Sequence, residues 1–152
     1  MLEQDIRDLI DLKCESANLD YKAGFPWTKD NRDKKFELIR DLLGMANTRD
    51  GGRIIFGITD GGYDFTGVSN DVFESIDPNN VVQMLHDHGD PKAICQITKI
   101  VIDGKKVVAF DIQEFEDTPI ICISSIRSSD QSRLILREGA VYIQKRLLLP
   151  TK

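Results

Sequence analysis

Residues 46–62 restrict the fold more than any other stretch, because their sequence ANTRDGGRIIFGITDGG places glycines on both sides of one short apolar run. Residues 53–58 are apolar enough for a central strand, and apolar residues at helical spacing precede them. Glycine between a helix and a strand supplies the positive φ that reverses the chain. P-loop and Rossmann sites instead need the order strand, loop, helix. Gly51 and Gly52 therefore predict a turn rather than a phosphate cradle.

The remaining sequence predicts helices early and antiparallel hairpins late. Apolar spacing predicts one helix over residues 2–14, a second that ends near Asn47 and a third that starts at Asp77-Pro78, while residues 19–22 are extended. Three hairpins are expected: one around residues 59–68, one over residues 94–115 with Asp103-Gly104 at its turn, and one over residues 133–146 with Glu138-Gly139 at its bend. Residues 123–132 show no hydrophobic periodicity, which predicts a mobile loop.

These elements predict one α+β domain over residues 1–152, with a mixed or antiparallel sheet and about three helices. A length of 152 residues is sufficient for one hydrophobic core. The ending LLLPTK leaves open that the chain is the N-terminal piece of a longer protein.

The charge distribution argues against bulk attraction to nucleic acid and is compatible with a local anionic ligand, while solvated lysines and arginines are the favoured alternative. The formal net charge is −5, yet residues 121–152 carry six lysines and arginines against two carboxylates. The three cysteines are far apart and form no CxxC pair, so we expect them to be reduced and mostly buried. The acidic N-terminus is unlike a signal peptide, and no apolar run reaches membrane-spanning length, which predicts a cytoplasmic protein that does not enter a membrane.

Four residues form the candidate catalytic and metal site. Asp20 and Lys22 are two residues apart in an extended segment, so their side chains share a face. With Glu15 before them and Asp60 after the glycine-flanked strand, they offer the oxygen ligands that Mg²⁺ or Mn²⁺ prefers. A surface ion pair between Asp20 and Lys22 is the structural alternative.

Several other side chains are candidate contacts or core residues. His86 and His88 are too close for metal ligands on one helical face, and we interpret them as helix C-terminal residues. Phe25 and Trp27 could stack on an unpaired base, but covering the edge of the core is the favoured interpretation. The predicted phosphate contacts are Asn47, Arg127, Arg133, Arg137, Lys145 and Arg146.

The segments ESANLDYK and MANTRDGGRIIFGITDGGYDFTGV together resemble the Schlafen/AlbA-type domain, often described as DNA-binding. The resemblance extends through IDPNNV, the DGKK hairpin and REGAVYIQKR, and so covers nearly the whole chain. It implies that Glu15, Asp20 and Asp60 match the acids of nuclease-active members and that Lys22 matches their lysine. Asp20 departs from the family pattern, in which the second acid is usually glutamate.

The resemblance implies a nucleic-acid-binding domain. In its catalytic form, such a domain is a divalent-metal-dependent endoribonuclease. The alternatives are a non-catalytic module that binds DNA or a nucleotide such as ATP for a transcriptional regulator, and a protein-interaction domain. RNA and DNA both remain candidate partners, and self-association into a homo-oligomer is left open.

Overall fold

The computed structural model describes residues 1–59 and 61–144. Its helices are α1 (Glu3–Leu12), α2 (Arg32–Ala46), α3 (Asn70–Ser75) and α4 (Pro78–His88), with a 3₁₀ turn at Lys29–Asn31. Its strands are β1 (Leu19–Lys22), β2 (Gly52–Phe56), β3 (Gly89–Asp90), β4 (Cys95–Ile102), β5 (Lys105–Ile112), β6 (Ile121–Cys122), β7 (Ile126–Arg127) and β8 (Leu134–Leu136). The predicted α+β class is confirmed, and α3 is a short helix that the sequence did not indicate.

The central sheet has the strand order β1-β2-β5-β4. The edge strand β1 runs parallel to β2, while β5 is antiparallel to both β2 and β4. The sheet is therefore mixed, as predicted. The β4–β5 hairpin also turns at the predicted pair, because Asp103 and Gly104 both take positive φ, at 51° and 76°.

Hydrophobic residues cover both faces of this sheet. On one face, α1 buries Ile6 and Ile10 against a cluster that includes Tyr21 and Ile55. On the other face, α2 and α4 pack on the larger cluster, to which β2 and β5 contribute side chains such as Phe56. Since successive side chains of a strand alternate in direction, Asp20 and Lys22 lie on the face opposite Tyr21. That alternation places both charged residues of β1 on the side of α2.

The turn between α2 and β2 requires glycine, as the sequence predicted. Gly51 has φ of +69°, and a Cβ at this position would lie 2.2 Å from the carbonyl oxygen of Ile112. A Cβ at Gly52 would lie 2.5 Å from Sδ of Met45. Both glycines therefore allow close approach of neighbouring segments rather than binding of a ligand.

Two predictions about the last third of the chain are wrong. Residues 133–144, the part of the predicted segment that the structure describes, do not form a hairpin around Glu138-Gly139, because β8 pairs with β7 instead. Residues 123–132 therefore contain strand β7 and its turn rather than an irregular loop. After the bend, the Gly139 amide donates to the carbonyl of Cys122, so the chain continues beside β6. The burial of Ile135 and Leu136 against α2 decides the pairing of β8.

The segment after β2 is less regular than the predicted hairpin. Ile58 and Phe65 form an isolated antiparallel bridge, and Val68 forms another with Lys106. Of the cysteines, Cys122 is buried and Cys95 partly buried, but Cys14 is exposed, contrary to the expectation for it; all three are free thiols. Among the described residues, no helix is long and apolar enough to cross a membrane.

Candidate functional site

The carboxyl end of the edge strand β1 brings Asp20 and Lys22 together. The two side chains emerge on the same face, and Nζ of Lys22 lies 3.0 Å from Oδ2 of Asp20. β1 has no strand on the side away from β2, and the side chains of Lys22 and Asp20 are 32% and 22% exposed. The predicted proximity of the two groups is confirmed, in the form of an ion pair.

A second carboxylate, which the sequence analysis did not include, completes the surroundings of Lys22. Asp41 on α2 lies with its Oδ2 3.2 Å from Nζ of Lys22. Burial opposes the charge of Lys22, but attraction to Asp41 and Asp20 outweighs it, so the pKa of Lys22 is raised. For Asp41, burial outweighs the attraction of Lys22 and raises the pKa of the carboxyl. One ammonium thus links the sheet edge to α2.

Glu15 folds back along the open edge of β1. Its Oε2 accepts a hydrogen bond from the Tyr21 amide at 3.2 Å, which pairs a backbone donor of the edge strand. Its Oε1 accepts from the Tyr63 hydroxyl, also at 3.2 Å. The neighbouring carboxyl of Asp20, followed by burial, raises the pKa of Glu15. Glu15 and Asp20 therefore face one another as a like-charged pair.

The chemistry of this pair suits a hard divalent cation. A cation between two adjacent carboxylates offsets their mutual repulsion, and carboxylate oxygens are the ligands that such ions prefer. Within residues 1–59 and 61–144, no group of three or more His, Cys, Asp or Glu side chains is arranged to hold a metal. The third predicted ligand, Asp60, lies outside the described residues. The described part of the chain thus supplies two carboxylates of the predicted three.

A groove of about 380 Å³ runs from Lys22 between the end of β1 and α2. Residues 34, 38 and 41 of α2 line it at helical spacing. Arg40 lines it too. Neither Lys34 nor Arg40 has a carboxylate partner within 4.0 Å among the described residues. The other acid of the groove, Glu37, is paired with Arg133. Arg40 donates to the Ile135 carbonyl at 3.4 Å and Lys34 lies over the Phe25 ring, so neither positive charge is neutralised by a carboxylate of the described residues.

The predicted basic residues divide into separate places. Arg127 and Arg133 belong to the β7–β8 hairpin, which is fixed to α2 because the carbonyl of Arg127 accepts from Arg32 at 2.9 Å and Arg133 pairs with Glu37. Arg137 follows β8 and is exposed. Lys145 and Arg146 lie outside the described residues. The structure thus brings one predicted cation, Arg133, into contact with a groove residue, whereas the Arg127 guanidinium donates to the Gln131 carbonyl within its own hairpin.

Asn47 has a structural role at the end of α2. Its carboxamide nitrogen donates to the carbonyls of Ile120 and Tyr142, both at 2.9 Å. Its oxygen accepts from the Ile120 amide at 2.7 Å. Because the side chain joins three backbone groups, it holds residues 120 and 142 side by side. A phosphate contact by Asn47, which the sequence suggested, would compete with these bonds.

The histidines and the aromatic pair follow the favoured interpretations. His86 and His88 lie at the end of α4, where their ring nitrogens pair with the Ala93 carbonyl and the Ser124 hydroxyl. Trp27 is only 7% exposed, and its indole nitrogen donates to Asn80 at 2.8 Å. Phe25 is partly buried and lines the groove. Trp27 is thus a core residue, whereas Phe25 faces both the core and the groove.

The molecule is therefore an α+β domain with a mixed four-stranded sheet. Its candidate site lies at the edge strand β1, beside the groove that α2 bounds. The sequence model of the family "Schlafen, AlbA_2" matches residues 15–145. The chain therefore belongs to this family, and α1 lies outside the matched residues. None of the curated proteins matches the chain.

Two solved structures share the fold. The DIP2311 protein from Corynebacterium diphtheriae has a TM-score of 0.54 and 19% identity, over 84% of this chain and 25% of that protein. The N-terminal domain of a RecG-related protein from Nitrosomonas europaea, provisionally named an ATP-dependent DNA helicase, has a TM-score of 0.52 and 18% identity, over 95% of this chain and 90% of the domain. This chain thus spans a quarter of the first structure and nearly all of the second.

The residues that sequence reasoning missed are Asp41, Tyr63, Lys34 and Arg40. A signal for Asp41 was present, because residues 34, 38 and 41 are spaced to share one helical face, and Leu38 belongs to the core. A charge beside a core leucine indicates a partner across the helix interface. Nothing in the sequence indicated that this partner was Lys22, because β1 and α2 meet only in the fold.

Proposed function

We propose that this domain binds nucleic acid in the groove between β1 and α2, with the Glu15–Asp20 pair at one end of the bound strand. The observation that carries the proposal is the pairing pattern of the groove. Lys34 and Arg40 line it without carboxylate partners within 4.0 Å, so an anionic backbone meets two available positive charges. The provisional helicase name of the Nitrosomonas relative supports a nucleic-acid ligand.

We further propose that Glu15 and Asp20 hold Mg²⁺ or Mn²⁺, with Asp60 as the third ligand expected from the sequence. Such an ion supplies a more acidic bound water and neutralises charge on a phosphate. The protein's own contribution is to hold two carboxylates together and to keep the Lys22 ammonium beside them. In this form the domain is a metal-dependent endoribonuclease.

A non-catalytic binding module is the second candidate, and one observation favours it. Asp20 already pairs with Lys22 at 3.0 Å, so one of its oxygens is engaged before any metal binds. Its short side chain also reaches less far than the glutamate of the family pattern. In this form, the groove cations bind the backbone while the carboxylates have no catalytic role.

Binding would be measured by fluorescence anisotropy of a labelled 20-nucleotide RNA at several salt concentrations. The double variant Lys34→Ala/Arg40→Ala should bind about tenfold more weakly, and its log–log salt slope should be shallower by about 1.4, because each of the two phosphate contacts contributes about 0.7 on a single strand. Lys92→Ala is the control for the loss of a surface charge, since Lys92 is exposed just before β4, the edge strand on the opposite side of the sheet from β1. Equal losses in both variants would contradict the groove assignment.

Cleavage would be measured with the same RNA in Mn²⁺, in Mg²⁺ and in chelator. The catalytic form predicts cleavage that requires a metal and is abolished in Asp60→Ala and Glu15→Gln, with binding largely retained. Intact RNA under all three conditions, together with salt-sensitive binding, would leave the non-catalytic module.

A further inference from the structure

Phe25 places an aromatic ring in the wall of the groove. Its ring stacks on Trp27, with centroids 5.9 Å apart and planes at 21°, and packs at a tilt on Phe56 at 5.5 Å. Trp27 is itself fixed by its hydrogen bond to Asn80 and by burial. Phe25 is therefore held by a rigid base of two aromatic residues, while part of it remains at the groove surface.

The chain before Phe25 fixes its direction. Gly24 takes φ of +96°, which residues with a Cβ rarely adopt. A Cβ there would lie 3.1 Å from Val68 and 3.2 Å from the Phe56 ring, so the chain turns tightly against the core. The aromatic ring consequently follows the charged end of β1 closely, three residues after Lys22.

Two lysines of α2 lie over this aromatic pair. Nζ of Lys34 is 6.0 Å from the centroid of Phe25, and Nζ of Lys35 is 5.3 Å from the centroid of Trp27. Proteins that bind single strands combine aromatic rings, on which bases stack, with cations that follow the phosphates. The groove has both components, because the Phe25 ring and the Lys34 ammonium both line it.

From this arrangement we infer that the ligand of the groove is single-stranded nucleic acid, with one unpaired base stacked against Phe25. This inference rests on the proposed nucleic-acid function. The cavity of about 380 Å³ matches sites that enclose one small group rather than a double helix. In a duplex the bases stack on each other, and extruding one costs a few kcal/mol. An unpaired strand offers its bases without that cost.

The single tryptophan of the chain gives a direct readout, because Trp27 stacks on Phe25. Titration with a ten-nucleotide oligo(U) and with a ten-base-pair RNA duplex would be followed by Trp27 fluorescence and by anisotropy. We expect the single strand to bind more tightly and to change the Trp27 emission. Phe25→Leu, which keeps an apolar side chain in the wall, should weaken single-strand binding about tenfold and leave duplex binding unchanged.

Phe73→Leu is the matched control. Phe73 also lies under a lysine, with Nζ of Lys99 4.9 Å from its ring, but Lys99 belongs to β4 at the other edge of the sheet. Circular dichroism would establish that both variants remain folded. Equal affinity for strand and duplex, or equal effects of both substitutions, would overturn the inference while leaving nucleic-acid binding intact. Absence of binding to either RNA would overturn the proposed function and the inference together.

Discussion

Nζ of Lys22 lies between two carboxylates, 3.0 Å from Oδ2 of Asp20 on its own strand and 3.2 Å from Oδ2 of Asp41 on α2. The ammonium of an edge strand is thereby fixed to the helix that forms the other wall of the groove. Because both carboxylates interact with the same ammonium, removing the charge of one changes the electrostatic interaction of Lys22 with the other. The charged groups at the end of β1 and those of the groove are consequently coupled through Lys22.

Asp41→Asn should lower the pKa of Lys22. Attraction to Asp41 is the largest contribution that raises this pKa, and the burial that lowers it remains in the variant. The measurement is an NMR titration of the Lys22 side chain between neutral and alkaline pH. Asp33→Asn serves as the control, because Asp33 is on the same helix but bonds Ser129 of the β7–β8 hairpin. An unchanged Lys22 titration in Asp41→Asn would show that the ion pair does not persist in solution.

Glu15→Gln should raise the free energy of unfolding at pH 7 by roughly 0.5 kcal/mol, the size of a partly solvated charge pair. The raised pKa of Glu15 means that the folded state favours its protonated form. The stability that this provides is complete below the ordinary glutamate pKa of 4.5 and is lost as the pH rises through the raised value. Urea unfolding at pH 4 and pH 7 should therefore show a gain only at the higher pH.

A divalent cation offers a second test of the same pair. Millimolar Mn²⁺ should raise the melting temperature of the wild-type protein at pH 7, because a ligand that binds only the folded state stabilises it. The increase should be smaller in Glu15→Gln. An equal increase in both proteins would place the cation elsewhere.

Asn47→Ala should lower the free energy of unfolding by about 2–3 kcal/mol, since three hydrogen bonds to backbone groups are lost at about 1 kcal/mol each. Those bonds hold residues 120 and 142 at the end of α2. Asn79→Ala is the control, because Asn79 is exposed near the start of α4. If both variants unfold at the same urea concentration, the Asn47 bonds do not contribute to stability.

Gly51→Ala should destabilise the fold by more than about 2 kcal/mol, whereas Gly61→Ala should cost about 1 kcal/mol. Both glycines have positive φ, at 69° and 84°, so both variants carry the backbone penalty. Only at Gly51 would the added Cβ also meet a backbone oxygen, that of Ile112 at 2.2 Å, while Gly61 has open space around it. Urea unfolding of the pair separates the steric term from the conformational one.

The sequence alone correctly predicted the features that depend on residues close together in the chain. The Asp77-Pro78 start of α4 and the Asp103-Gly104 turn were correct, because a cap and a turn depend on residues next to each other in the chain. The common face of Asp20 and Lys22 was correct for the same reason, since alternation along a strand is fixed by the backbone. These features are determined by the local sequence alone.

The tertiary structure decided the pairings between distant segments. The sequence offered β8 a partner within 133–146, but burial of Leu136 and the bond from Gly139 to Cys122 join β8 to β7 and the following residues to β6. Likewise, Lys22 and Asp41 are far apart in sequence and meet because β1 and α2 pack on one core. Long-range packing chooses among partners of similar local preference, and a single sequence carries no direct record of that choice.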